Sequence, residues 1–166
     1  MNRKNVTYLS LGSNLGNKKE NIEEGIKLIK ESVGEIIQIS NYYISESWGF
    51  KSEDFLNNII EVETRFAPLQ LFNRIKLIEE KLGAFHNSYL EGYQSRIIDI
   101  DVIYYNNFLY NQKLLSIPHL NMHNRKFVLL PLLELNSDIK HPIFNKDVKE
   151  LLKVCTDRSE VFLYEE

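Results

Sequence analysis

The stretch Arg96-Ile97-Ile98-Asp99-Ile100-Asp101-Val102-Ile103 restricts this chain more than any other. Its β-branched residues favour a strand, and residues two apart on a strand share a face. Ile98, Ile100 and Val102 then point into a core, and Asp99 and Asp101 stand together on the opposite face. Burying that apolar row requires neighbouring strands and a covering layer of helices. Two close carboxylates repel each other, and at least one pKa rises unless a cation lies between them. Oxygen ligands on a rigid strand suit Mg²⁺, which takes one or two carboxylates together with phosphate oxygens. The competing reading is a solvent-facing sheet with two unrelated acids. Asp-x-Asp alone does not separate the two; the apolar flanks and Arg96 favour a site.

The sequence supplies the other layers in order. Residues 6–11 read as a first strand, stopped by Gly12-Ser13-Asn14. Ile22, Ile26, Ile29 and Val33 fall at helical spacing, with Gly34 able to end that helix. Residues 36–43 and 55–66 read as strands. Pro68 opens a second helix whose stripe is Phe72, Ile75, Ile78 and Leu82, with Gly83 at its end. Residues 84–94 are polar and irregular, and 97–105 form the acidic strand. Strand, helix, strand, strand, helix, strand is the order of a split βαβ, ferredoxin-like α+β fold: an antiparallel sheet with helices on one face. The last third adds a hairpin around Asn106-Asn107, a helix over 127–135 and a helix over 146–154.

The length of 166 residues suits a single domain, 1–166. A net charge of −3 gives no general attraction to nucleic acid, so an anionic ligand needs a few placed cations or a metal. Cys155 is the lone cysteine, which excludes an internal disulfide and a cysteine-rich metal site; a reducing cytoplasm is the expected location. The apolar run Val6-Thr7-Tyr8-Leu9 is too short for a signal peptide or a membrane span. Nothing demands more than a monomer.

Other residues offer weaker chemistry. Ser10-Leu11-Gly12-Ser13-Asn14-Leu15-Gly16 lacks the closing Gly-Lys-Ser/Thr of a P-loop and reads as a strand-to-helix turn with Ser or Asn capping. His119 and Arg125 can both donate to phosphate oxygens, against the plainer reading of a surface loop. Phe55 and Phe127 are core residues or a stacking pair for a flat heterocycle. Asn57 shares the strand face of Phe55, and its amide suits a pteridine edge.

Taken in order, Ser10-Leu11-Gly12-Ser13-Asn14, Phe55-Leu56-Asn57-Asn58, Arg96-Ile97-Ile98-Asp99-Ile100-Asp101, and Ile117-Pro118-His119 with Met122, Asn124-Arg125 and Phe127 resemble the 6-hydroxymethyl-7,8-dihydropterin pyrophosphokinase family along nearly the whole chain. The resemblance implies transfer of a diphosphate from ATP to the hydroxymethyl group of the pterin, releasing AMP, in folate biosynthesis. It implies two Mg²⁺ ions on Asp99 and Asp101, and Arg96 beside them in the catalytic set. It implies a pterin pocket of Ser45, Trp48, Phe55, Asn57 and Phe127, and ATP contacts from Glu79, Tyr93, Arg96, Lys113, His119 and Arg125.

The chain departs from that family in one loop. Ala84-Phe85-His86 replaces the usual arginines after the second helix, Gly92 stands where a basic residue is usual, and Gln94-Ser95 replaces Gly-Pro. Leu120 stands where an aromatic is common. Residues 84–95 are expected to act as a lid short of cations. A catalytically weak pterin- or ATP-binding homologue is one rival reading. A ferredoxin-like nucleic-acid binder is the other, and it would need a basic surface that the −3 charge does not offer.

Overall fold

The computed structural model describes residues 4–47, 52–84 and 96–165. One sheet runs in the order β5-β1-β4-β3-β8, with β2 also pairing β4. Its strands are β1 (Asn5–Ser13), β2 (Gly34–Ile39), β3 (Tyr43–Ser45), β4 (Phe55–Thr64), β5 (Asp99–Tyr105) and β8 (Val161–Leu163). Every pair is antiparallel. β2 and β3 lie end to end along the same edge of β4, so together they fill one position of the split βαβ order.

The single strand expected over 36–43 is therefore two. Ser40 sits at the break and keeps the ladder going: its N–H donates to the Ile59 carbonyl (2.9 Å), and its Oγ accepts from the Ile59 N–H (2.9 Å). A side chain thus replaces a backbone partner, and the edge bends without orphaning β4.

Helices cover both faces. α1 (Lys18–Ser32) and α2 (Pro68–Lys81) pack Ile22, Ile29, Leu71, Ile75 and Ile78 onto Leu9, Leu11, Ile60, Val62, Ile100 and Val102. The C-terminal additions α3 (Lys126–Leu135) and α4 (Val148–Val154) pack Leu129, Leu132 and Leu151 onto Tyr8, Ile59 and Ile103 on the reverse side. Neighbours such as Ile59 and Ile60 are both buried for this reason. Each fully buried aliphatic side chain contributes about 1.5–3 kcal/mol relative to exposure.

Two capping expectations change. Asn17, not Ser13 or Asn14, caps α1, its side chain accepting from the Glu20 N–H (3.3 Å). Gly34 begins β2 instead of ending α1; a Cβ there would lie 2.0 Å from the Glu63 carbonyl oxygen. Gly83 does follow α2 with φ +84, as a C-terminal glycine should. Asn106-Asn107 turns the chain out of β5, and Asn106 Oδ1 accepts from the Val6 N–H (2.9 Å). The hairpin itself lies further on, between β6 (Tyr110–Gln112) and β7 (Leu115–Ile117). Among the described residues no helix is long and apolar enough to cross a membrane.

Candidate active site

The register of the sheet brings the chemistry together. Asp99 pairs with Gly12, Gly12 with Asn57, and Asn57 with Tyr43, so one row crosses four strands from β5 to β3. Directly opposed residues share a face, and strands lie about 4.8 Å apart, so Asp99 and Asn57 look out side by side across roughly 10 Å. Asp101 faces Ser10 in the next row. Ile98, Ile100 and Val102 are buried on the other side, as the alternation predicts.

Gly12 is the floor between the acids and Asn57. A Cβ at Gly12 would stand 3.1 Å from Asn57 Oδ1 and 3.6 Å from Phe55 Cδ1. With no side chain of its own, Gly12 lines a cavity together with Ser45, Phe55, Asn57, Asp99, Asp101, Arg125 and Phe127. The sequence signal was a glycine in a strand, which was read only as a stop; a glycine there also marks close approach of a ligand. Ser10, which opens the Ser10-Leu11-Gly12-Ser13-Asn14 motif, also lines this cavity, as does Glu46, which carries no sequence signal.

Asn57 is buried, and its Nδ2 donates to Ser45 Oγ (2.9 Å), which orients the amide and turns Oδ1 toward Gly12. Phe127 arrives from the first turn of α3, opposite the sheet, and Phe55 from the first residue of β4.

A second, more open cavity lies on the other side of the acids. Arg96, Lys113, His119, Leu114 and Leu120 line it, and Asp99, Asp101 and Arg125 wall both cavities. Arg96 donates to Asp99 Oδ1 (2.6 Å). Its backbone is clamped by Asn14, whose Oδ1 accepts from the Arg96 N–H (2.7 Å) and whose own N–H donates to the Arg96 carbonyl (3.1 Å). Asn14, which is fully buried, also donates to Ser52 Oγ (3.1 Å), so it ties three segments together at the site.

The electrostatics follow from crowding. Burial, and next the Asp99 charge, push the Asp101 carboxyl up to about 7, with Arg125 and Lys76 pulling the other way. Arg125 Nη1 lies 3.9 Å and His119 Nε2 3.8 Å from Asp101 Oδ2. Burial and then Arg125 lower His119 to about 4, so it is neutral at ordinary pH. His119 Nδ1 accepts from the Asn121 N–H (3.2 Å), which leaves the proton on Nε2, facing the acids.

Glu79, expected among the nucleotide contacts, lies in α2 beside the acidic strand. It is fully buried in α2, accepting from the Ile100 N–H (2.7 Å) and from Lys76 Nζ (2.6 Å). Ile100 lies between the two aspartates, so Glu79 holds the outer edge of the acidic strand and does not wall the cavity. Trp48, Tyr93 and the departures at His86, Gly92, Gln94 and Ser95 lie outside the described residues. Ala84 is described and buried. Among the described residues no group of three or more His, Cys, Asp or Glu side chains converges on an ion; the candidate donor set is the two carboxylates.

The chain matches the model of the 7,8-dihydro-6-hydroxymethylpterin-pyrophosphokinase (HPPK) family over residues 8–137. It is 36% identical over 146 residues to 2-amino-4-hydroxy-6-hydroxymethyldihydropteridine pyrophosphokinase of Aquifex aeolicus, covering 87% of this chain and 89% of that protein. The enzyme of the same name from Haemophilus influenzae is 32% identical over 160 residues, covering 95% and 98%. Folic acid synthesis protein fol1 of Schizosaccharomyces pombe is 35% identical over 149 residues, and this chain spans 20% of its length. The fold is similar to that of the Plasmodium falciparum HPPK-DHPS crystal structure with STZ-DHP, at TM-score 0.74 and 19% identity, covering 91% of this chain and 43% of that one. By the family model over residues 8–137 and by these bacterial relatives, the chain belongs to the 7,8-dihydro-6-hydroxymethylpterin-pyrophosphokinase family.

Proposed function

We propose that the chain, as one domain over residues 1–166, transfers the β,γ-diphosphate of ATP to the hydroxymethyl oxygen of 6-hydroxymethyl-7,8-dihydropterin, releasing AMP, for folate biosynthesis. The observation that carries this reading is the shared wall: Asp99, Asp101 and Arg125 border both cavities, one apolar and aromatic, the other rimmed by cations. A donor and an acceptor substrate seated in the two would meet at the acids.

The acceptor's flat ring lies between Phe55 and Phe127, with its polar edge on the Asn57 amide. Ser45 fixes that amide, and the family resemblance assigns Trp48 to the same substrate. On the donor side, Arg96, Lys113, His119 and Arg125 bind phosphate oxygens, and the family resemblance assigns Tyr93 and Glu79 to the same substrate. Glu79 holds the acidic strand in place from behind.

The two carboxylates fit Mg²⁺. They are hard oxygen donors on one rigid face, and burial first and the neighbouring Asp99 charge second disfavour an ionised Asp101 in the absence of a cation. Asp99 and Asp101 would hold two such ions together with the phosphates of ATP. When bound, Mg²⁺ supplies charge neutralisation to the phosphate oxygens. The chain's own residues supply the rest. Diphosphoryl transfer depends on in-line positioning and electrostatic stabilisation more than on covalent chemistry. Arg125, between the cavities, faces the charge that develops as the bond to AMP breaks. Neutral His119 offers an Nε2–H bond without adding a proton that would compete for Asp101.

Calorimetric titration with the pterin and a non-hydrolysable ATP analogue tests the assignment. Both should bind at one site each, with nucleotide affinity lost when Mg²⁺ is removed. Nucleotide binding that is indifferent to Mg²⁺ would overturn the metal assignment, and no pterin binding would overturn the acceptor assignment.

A further inference from the structure

The matched family region ends at residue 137, yet the segment that follows α4 returns to both walls of the acceptor cavity. α3 starts without a cap of its own: Arg125 occupies the N-cap position and makes no side-chain cap bond. Its side chain turns to Asp101 instead. The missing cap comes from far along the chain. Asp157 Oδ2 accepts from the Lys126 N–H (2.9 Å), and Lys126 Nζ donates to the Ser159 carbonyl (3.3 Å). Asp157 is buried, and its other oxygen is held by the N–H (2.9 Å) and Oγ (2.7 Å) of Ser159. Burial opposes its charge, but the bonds from Ser159 and Lys126 win and hold the carboxyl below its ordinary value. A carboxylate at a helix N-terminus also meets the positive end of the dipole.

A few residues on, the same segment becomes β8. It pairs with β3 through Val161 opposite Ser45 and Leu163 opposite Tyr43. The Tyr164 N–H donates to the Tyr42 carbonyl (2.8 Å), and the two rings meet edge to face at 6.4 Å. One segment therefore holds the helix end that carries Phe127 and the short strand that carries Ser45. β3 has only three residues and pairs β4 on its other side, so β8 is what makes it an interior strand.

We propose that residues 156–164 are a clasp that sets the width of the acceptor cavity, with Asp157 as its positioning residue. Asp157 touches neither ligand; it acts through Lys126 on Phe127. Arg125 has a separate tether, its N–H donating to the Met122 carbonyl (3.2 Å), so the donor side depends on the clasp less.

The proposal rests on reading this cavity as the pterin pocket, and the experiment separates the two. Dissociation constants for pterin and for a non-hydrolysable ATP analogue with Mg²⁺ are measured on the full chain, Asp157→Ala and Ser159→Ala. Loss of a cap shifts a local equilibrium by a factor of a few to about thirty, so Asp157→Ala should weaken pterin binding about tenfold. Nucleotide binding should change less than about threefold, and Ser159→Ala should weaken pterin binding by about two- to fivefold. A variant that was only less stable would leave both constants of its folded fraction unchanged. Equal constants in all three proteins, or equal losses for pterin and nucleotide, would overturn the clasp. If Asp157→Ala does not fold, Ser159→Ala decides by the same criterion. Absence of pterin binding to the unaltered chain would overturn the pocket assignment and the clasp with it.

Discussion

Asp99 and Asp101 share one face of a strand whose other face is core, and burial, then the Asp99 charge, raise the Asp101 pKa. Replacing either with Asn should lower turnover by at least about a hundredfold, the scale of a lost electrostatic group in a transition state. Stability should not suffer. Asp101→Asn removes a carboxylate that burial disfavours, so without Mg²⁺ it should melt at or above the wild-type temperature. Single-turnover rates and a thermal melt check both parts, and near wild-type turnover would remove these residues from the reaction. Gly12 gives a second expectation. Gly12→Ala places a methyl group 3.1 Å from Asn57 Oδ1, so the pterin KM should rise while nucleotide affinity holds. Phe55→Ala, Phe127→Ala and Asn57→Ala should likewise weaken pterin binding more than ATP binding, by stacking in the first two cases and an unpaired edge in the third. Equal losses for both ligands would place the pocket elsewhere.

At the level of strands and helices, the acidic strand was readable from sequence because a buried face and an acidic face alternate over 98–102. β2 and β3 were not separable, since the break at Ser40 is bridged by its own hydroxyl and leaves the apolar pattern running through. The bond from the acidic strand to Glu79 is hidden in the sequence for a related reason. A carboxylate on a helix signals solvent or ligand, and only the register of β5 shows an unpaired Ile100 N–H waiting for it. The external cap of α3 was out of reach altogether, because 31 residues separate Lys126 from Asp157. The loop between α3 and α4 carries a further test. His141 is 3% exposed, stacked on Phe144 with ring centroids 4.5 Å apart, and burial and then His123 lower its pKa to about 4. Its unfolded value is near 6.5, so the unfolded chain takes up a proton first as pH falls. Stability should be full above about pH 6.5 and should drop by roughly 1–2 kcal/mol by pH 5 from this group alone. Urea unfolding at several pH values should show that slope flattened in His141→Asn; an unchanged slope would reject it.

Across the chain as a unit, two cavities share one acidic wall, and each is built from separate parts of the sequence: β1, β3, β4 and α3 for one, the β6–β7 hairpin and the His119 loop for the other. That division explains why the resemblance spans nearly the whole chain rather than one motif. The decisive test is product analysis after incubating the chain with ATP, Mg²⁺ and 6-hydroxymethyl-7,8-dihydropterin. The arrangement requires AMP and a pterin carrying two phosphates, formed in equal amounts and only when the pterin is present. Release of ADP with a singly phosphorylated pterin, or AMP formation that does not depend on the pterin, would contradict it.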